Sequence, residues 1–145
     1  MFIRPGFGMT ETCAGAIYNA TDCPDFDIQH GTEFCSLGEC IPGMIMRIVR
    51  PDGTGANANE VGSLEVKGYP VFRGYYNDTI ATQNAFTSDG WFKTGDLGLL
   101  DSWGRLRLTG RDKDIIVING LVFLSSRVLH DLTHQLFRLL KQYSS

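Results

Sequence analysis

Three short segments set small polar or charged side chains beside glycine: Gly8-Met9-Thr10-Glu11-Thr12, Phe92-Lys93-Thr94-Gly95-Asp96 and Gly110-Arg111-Asp112-Lys113-Asp114. Glycine lets a backbone approach a ligand closely and present its amides, while a few fixed oxygens and cations set orientation, a composition suited to a nucleotide. Each segment taken alone also has a structural reading. Thr10 is placed to cap a helix start, Gly95-Asp96 suits a β-turn, and Arg111 to Asp114 reads as a solvated charged loop. A fourth constellation, His130-Asp131-Leu132-Thr133-His134, puts two histidines on one helical face. It carries Asp where the zinc-protease pattern has Glu, and no third ligand follows, so surface histidines are the better reading.

The elements that must position these groups are β-rich. Residues 1–20 read as a glycine-bearing loop followed by a short apolar stretch, and 21–40 as irregular, with Pro24, Gly31 and Gly38 as breakers. Met44 to Val49 suits a strand, Pro51-Asp52-Gly53 a turn, and Ser63 to Lys67 a second strand with Leu64 and Val66 on one face and Ser63, Glu65 and Lys67 on the other, the pattern of a half-buried antiparallel sheet. Asn77 or Asp78 is placed to cap a short helix running to about Phe86. Leu97 to Leu100 and Arg105 to Thr109 flank Asp101-Ser102-Trp103-Gly104 as a hairpin, and Ile115 to Ile118 is an apolar strand ended by the turn pair Asn119-Gly120. Over 121–145, Val128, Leu129, Leu132, Leu136, Phe137, Leu139 and Leu140 recur near helical spacing and predict an amphipathic helix.

With 145 residues, 43% of them hydrophobic and 20% charged, the chain has the length and apolar content for a core. A formal net charge of -3 gives no basic footprint for nucleic acid, and no apolar run is long enough to span a bilayer. The opening Met-Phe-Ile-Arg-Pro-Gly puts a charge and a proline where a secretory signal needs apolar residues, so a cytoplasmic setting is expected. Cys13, Cys23, Cys35 and Cys40 lack zinc-knuckle spacing and read as buried or partly buried free thiols.

In this order, the motifs resemble the adenylate-forming (AMP-binding) superfamily of acyl-CoA synthetases, acyl-AMP ligases and peptide-synthetase adenylation domains. Phe7-Gly8-Met9-Thr10-Glu11 is similar to the family's aromatic-Gly-x-Thr-Glu segment, and Trp91-Phe92-Lys93-Thr94-Gly95-Asp96 to its aromatic-Arg/Lys-Thr-Gly-Asp motif. Val61 to Gly68 and Val71 to Tyr75 resemble its Gly-Glu-Leu-x-x-x-Gly segment and the following Gly-Tyr, with Ser63 where glutamate is usual. The resemblance implies that the Phe7 ring packs on adenine, that Thr10 reaches phosphate and that Glu11 holds Mg²⁺, a cation that takes hard oxygen ligands. It implies that Asp96 receives both ribose hydroxyls on its two carboxylate oxygens, that Arg111 contacts ribose or phosphate with its forked donors, and that Lys113 is the hinge of a lid domain. Phe7, Gly8, Thr10, Asp96 and Arg111 are thus expected to bind nucleotide, and Thr10 and Glu11 to be catalytic, with the nucleotide held between the loop at Phe7 to Glu11 and the turn at Asp96.

The implied fold is mixed and β-dominated (α+β): antiparallel hairpins of a distorted, barrel-like subdomain, short helices and a C-terminal amphipathic helix, as an incomplete piece of a larger ligase. Residues 1–110 would be the C-terminal part of the large domain, 111–120 the hinge and start of the lid, and 121–145 a divergent helical tail. The implied reaction joins a carboxylic acid to the α-phosphate of ATP with release of pyrophosphate, using ATP/AMP and Mg²⁺, with coenzyme A or a carrier-protein phosphopantetheine as acceptor. Glu11-Thr12-Cys13-Ala14-Gly15 and the strand from Asp114 to Gly120 suggest the fatty acyl-AMP ligases. Expected partners are a small-molecule carboxylate and ATP, and a carrier protein or the rest of a longer synthetase. The family's phosphate loop and lid lysine lie outside the matched motifs, so the chain alone is expected not to catalyse adenylation. The alternative is a non-catalytic nucleotide-binding or interaction module.

Overall fold

The computed structural model describes residues 5–18, 36–112, 115–118 and 121–124. Two compact units divide the chain, Met1–Thr109 and Gly110–Ser145. Strands dominate the described residues, in three sheets.

The first sheet has the order β1-β2-β3, with β1 Gly6–Met9, β2 Ala14–Tyr18 and β3 Glu39–Cys40, all antiparallel. Where the sequence reads as a loop, β1 and β2 form a hairpin around a single 3-10 turn, Thr10–Thr12. Phe7 pairs with Ile17 but Gly8 with Gly15, so Ala16 is an extra residue that bulges β2 and changes its twist. Glycines at three of the paired positions hide the alternation that announces a strand, and β3 is too short to show a period.

The second sheet has the order β4-β5-β6-β7, with β4 Met44–Val49, β5 Gly62–Gly68, β6 Phe92–Leu100 and β7 Leu106–Arg111. The turn at Pro51-Asp52-Gly53 forms as expected, with the Asp52 carboxylate accepting the Thr54 amide at 2.9 Å and Gly53 at φ +85°. Leu64 and Val66 are fully buried on one face of β5. The opposite face departs from the simple alternation: Glu65 is 6% exposed, because Arg47 on β4 donates to it at 2.7 Å while its guanidinium lies 4.3 Å over the Trp91 ring. Asp78 caps the helix α1, Thr79–Ala85, accepting the Ala81 amide at 2.8 Å. Asp101 opens the β6–β7 turn, its carboxylate taking the amides of Trp103 and Arg105 at 3.0 and 2.9 Å.

Leu37 and Gly38, which lead into β3, exchange backbone hydrogen bonds with Leu106 at 2.8 and 2.9 Å. The edge of the first sheet is thereby stitched to β7, and the two sheets share one core of Phe7, Ala16, Ile17, Met44, Ile48, Leu64, Val66, Phe92 and Leu106. No described helix is long and apolar enough to cross a membrane.

In the second unit β8 Ile115–Ile118 pairs antiparallel with β9 Leu121–Leu124. This corrects the reading of 121–145 as helical from its first residue. Leu121-Val122-Phe123-Leu124 is an uninterrupted apolar run directly after Asn119-Gly120, the composition of a hairpin's return strand. The predicted amphipathic helix over Val128 to Lys141, His130 and His134 lie outside the described residues.

Candidate functional site

The turn between β1 and β2 is organised by Thr12, which is 1% exposed. Its hydroxyl accepts the Met9 amide at 3.1 Å and lies 3.0 and 3.1 Å from the carbonyls of Met9 and Ala14. One side chain therefore closes both ends of the turn. The alternative structural reading of Thr10 as a helix cap does not hold: Met9 precedes the 3-10 turn, Thr12 supplies the hydroxyl, and Thr10 is exposed. Gly8 is required by close approach, since a Cβ there would run into the Ala14 carbonyl.

Phe7, Gly8, Met9 and Thr10 line an open cleft of about 650 Å³ together with Cys13, Ala14, Gly15 and Tyr18. Phe7 reaches this cleft from the core, being only 8% exposed. Glu11 sits one residue beyond the cleft wall. Its carbonyl accepts the Phe72 amide at 2.8 Å, and its carboxylate accepts the Tyr75 hydroxyl at 3.1 Å. Burial, and then the neighbouring Glu11 carboxylate, push the Tyr75 phenol above its ordinary pKa.

Asp96 lies within β6, not in a β-turn. Across β5, Glu65 pairs with Lys93 and Ser63 with Leu97, so Leu64 alone faces Thr94, Gly95 and Asp96. The motif is a β-bulge with three residues opposite one. Gly95 supplies φ +78°, and the Thr94 hydroxyl spans the bulge, donating to the Leu64 carbonyl at 2.9 Å and accepting the Asp96 amide at 3.1 Å. Asp96, at the end of the bulge, is 3% exposed.

The two segments are joined by aromatic packing. The Phe72 ring meets Phe92, the first residue of β6, edge-on at 5.3 Å, stacks on Phe86 at 5.7 Å and contacts Tyr75 at 4.8 Å. Asp96 is not among the described residues lining the cleft, so the expected single hollow between Phe7–Glu11 and Asp96 is not formed by those walls alone. Arg111 ends β7, is exposed and belongs to the second unit; Lys113 lies outside the described residues. Among the described cysteines Cys13 is exposed, contrary to the expectation of burial, because it occupies the left-handed end of the turn at φ +54°. Cys40 is half-buried, and burial pushes its thiol up to about 11. Thr12, Phe72, Thr94 and Tyr75 are contributors that motif reading left as bracing or passed over.

The family model of the AMP-binding enzyme matches residues 1–76. The chain belongs to the AMP-binding enzyme family. Its relatives include aspulvinone E synthetase melA of Aspergillus terreus, 56% identical over 83% of this chain and 13% of that protein. Microperfuranone synthase of Emericella nidulans is 56% identical over 87% of this chain and 14% of that protein. This AMP-binding chain thus spans about one seventh of the length of the relatives it matches. Among solved structures, McyG A-PCP complexed with phenylalanyl-adenylate is 41% identical with a TM-score of 0.70, over 84% of this chain and 19% of that one. The adenylation domain of a keto acid-selecting nonribosomal peptide synthetase module, bound to keto acyl adenylate, is 34% identical with a TM-score of 0.67, over 86% of this chain and 27% of that one.

Proposed function

We propose that the chain is the nucleotide-holding part of an adenylation domain of nonribosomal-peptide-synthetase type, working in the cytoplasm within a longer enzyme. The reaction converts an amino or keto acid and ATP into acyl adenylate and pyrophosphate, with a carrier-protein thiol as the later acceptor. The observation that carries this reading is the bulge in β6, which holds a buried carboxylate, Asp96, on a strand packed through Phe72 against the turn that bears Glu11. In it Asp96 receives the ribose hydroxyls and Phe7 borders adenine, while Arg111 and the hinge residue Lys113 keep the roles that the family resemblance implies for them.

Mg²⁺ fits the donor chemistry at Glu11. No group of three or more His, Cys, Asp or Glu gathers among the described residues, and Mg²⁺ prefers one or two carboxylates with phosphate and water. When bound, it would neutralise phosphate charge, and Glu11 would hold it beside the Thr10 hydroxyl.

The acid class departs from the fatty acids suggested by residues 11–15. Relatives of peptide-synthetase type and neighbours holding phenylalanyl and keto acyl adenylates support amino or keto acids. Calorimetry tests both parts. AMP is expected to bind the chain and to lose at least tenfold affinity in Asp96→Ala; equal binding by both proteins overturns the nucleotide reading. Aminoacyl or keto-acyl sulfamoyl adenosines should bind tighter than AMP, and a preference for a long-chain fatty acyl analogue would restore the fatty-acid assignment.

A further inference from the structure

We propose that Tyr75 is a positioning residue for the Glu11 carboxylate, holding one oxygen so that the other is presented to the divalent cation of the nucleotide. The proposal rests on the reading of Glu11 as the metal-side carboxylate. Sixty-four residues separate the two side chains, and the Tyr75 hydroxyl meets Glu11 Oε1 at 3.1 Å.

Tyr75 is 40% exposed, and its backbone and one face of its ring are held by neighbouring residues. Its amide donates to the Thr82 hydroxyl at 2.9 Å, and that hydroxyl donates to the Asp78 carbonyl at 2.7 Å, at the N-terminus of α1. The preceding Gly74 has φ +153° and no room for a Cβ, which would lie 2.7 Å from the Thr82 methyl. The ring packs edge-on against Phe72, whose own amide holds the Glu11 carbonyl at 2.8 Å. Glu11 is therefore gripped twice by one short segment, at its backbone by Phe72 and at its side chain by Tyr75.

The chemical consequence follows from the two oxygens of a carboxylate. A free glutamate rotates about its side-chain torsions and must be ordered when a cation binds. A hydroxyl donated to Oε1 removes much of that freedom beforehand and leaves Oε2 for the metal, the role that outer hydrogen-bond partners play at metal sites. Tyr75 touches neither nucleotide nor metal in this arrangement.

The test is Mn²⁺ binding to the full chain in the presence of ATP, followed by electron paramagnetic resonance. Tyr75→Phe, which keeps the ring and its packing, is expected to weaken Mn²⁺ binding about tenfold and to leave metal-free AMP affinity unchanged. Glu11→Gln should weaken it further. If Tyr75→Phe binds Mn²⁺ like the wild type while Glu11→Gln does not, the positioning role is overturned and the metal reading stands. If Glu11→Gln also binds like the wild type, the metal reading itself falls. Tyr75→Leu separates packing from the hydroxyl: weakening by Leu but not by Phe would overturn the proposal in favour of a purely structural ring.

Discussion

The amide of Phe72 donates to the carbonyl of Glu11 at 2.8 Å, across sixty-one residues of sequence, and the ring of the same Phe72 packs on Phe92 at 5.3 Å. One residue thus ties the turn that carries Glu11 to the strand that carries Asp96. The distance between the two carboxylates is set by a partly buried aromatic cluster and a backbone hydrogen bond, so it responds to substitutions in that cluster.

Thr94 is the latch of the β6 bulge. Thr94→Val keeps the shape but strands the Leu64 carbonyl and the Asp96 amide, which are joined through the hydroxyl at 2.9 and 3.1 Å. A loss of about 1–2 kcal/mol is expected in urea unfolding, because buried polar groups left without partners cost that much. Thr94→Ser retains the hydroxyl and should recover most of the loss. AMP affinity should fall in the same order.

Gly8 and Gly95 are both intolerant of side chains, for different reasons. At Gly95 nothing lies within 4 Å of a Cβ and the constraint is φ +78° alone. Gly95→Val should therefore cost about 1–2 kcal/mol and Gly95→Asn less, since Asn tolerates the left-handed region. At Gly8 a Cβ would enter the Ala14 carbonyl. Even Gly8→Ala must open the hairpin, with an expected cost of about 1–3 kcal/mol, and Asn gives no relief there. Thermal melts of the four variants check the contrast.

Acid should loosen two surface clamps together. A hydrogen bond from Arg50 holds Glu60 down from its ordinary 4.5 to about 2, and bonds from Thr87 and then Arg47 hold Asp89 down from 3.8 to about 2. Both folded-state values are depressed, so their contribution is present above about pH 4.5 and is lost as pH falls towards 2. Unfolding measured between pH 6 and 2 should lose part of its acid dependence in Glu60→Gln and in Asp89→Asn. Asp89 is exposed and Glu60 partly so, and high salt should therefore shrink the effect.

The described thiols should separate by reactivity. With its thiol pushed up to about 11, Cys40 carries roughly one thiolate per thousand at pH 8, whereas Cys13 is exposed on the turn. Iodoacetamide labelling at pH 8 followed by peptide mapping should modify Cys13 well before Cys40. Unfolding in urea should abolish the difference between them.

Local chemistry was legible from the chain alone. Asp78 capping α1, Asp52 and Gly53 closing their turn, Asp101 opening its hairpin, and the alternating Leu64 and Val66 all follow from interactions spanning a few residues. The motif segments around Glu11 and Asp96 carried the family for the same reason, being contiguous. The tertiary structure decided what those segments become: a hairpin in place of a loop, a bulge in place of a turn, Glu65 buried beneath Arg47, and Glu11 held by Tyr75. Each depends on which distant residue arrives opposite, and long-range register is set by packing the whole core, which no local periodicity encodes.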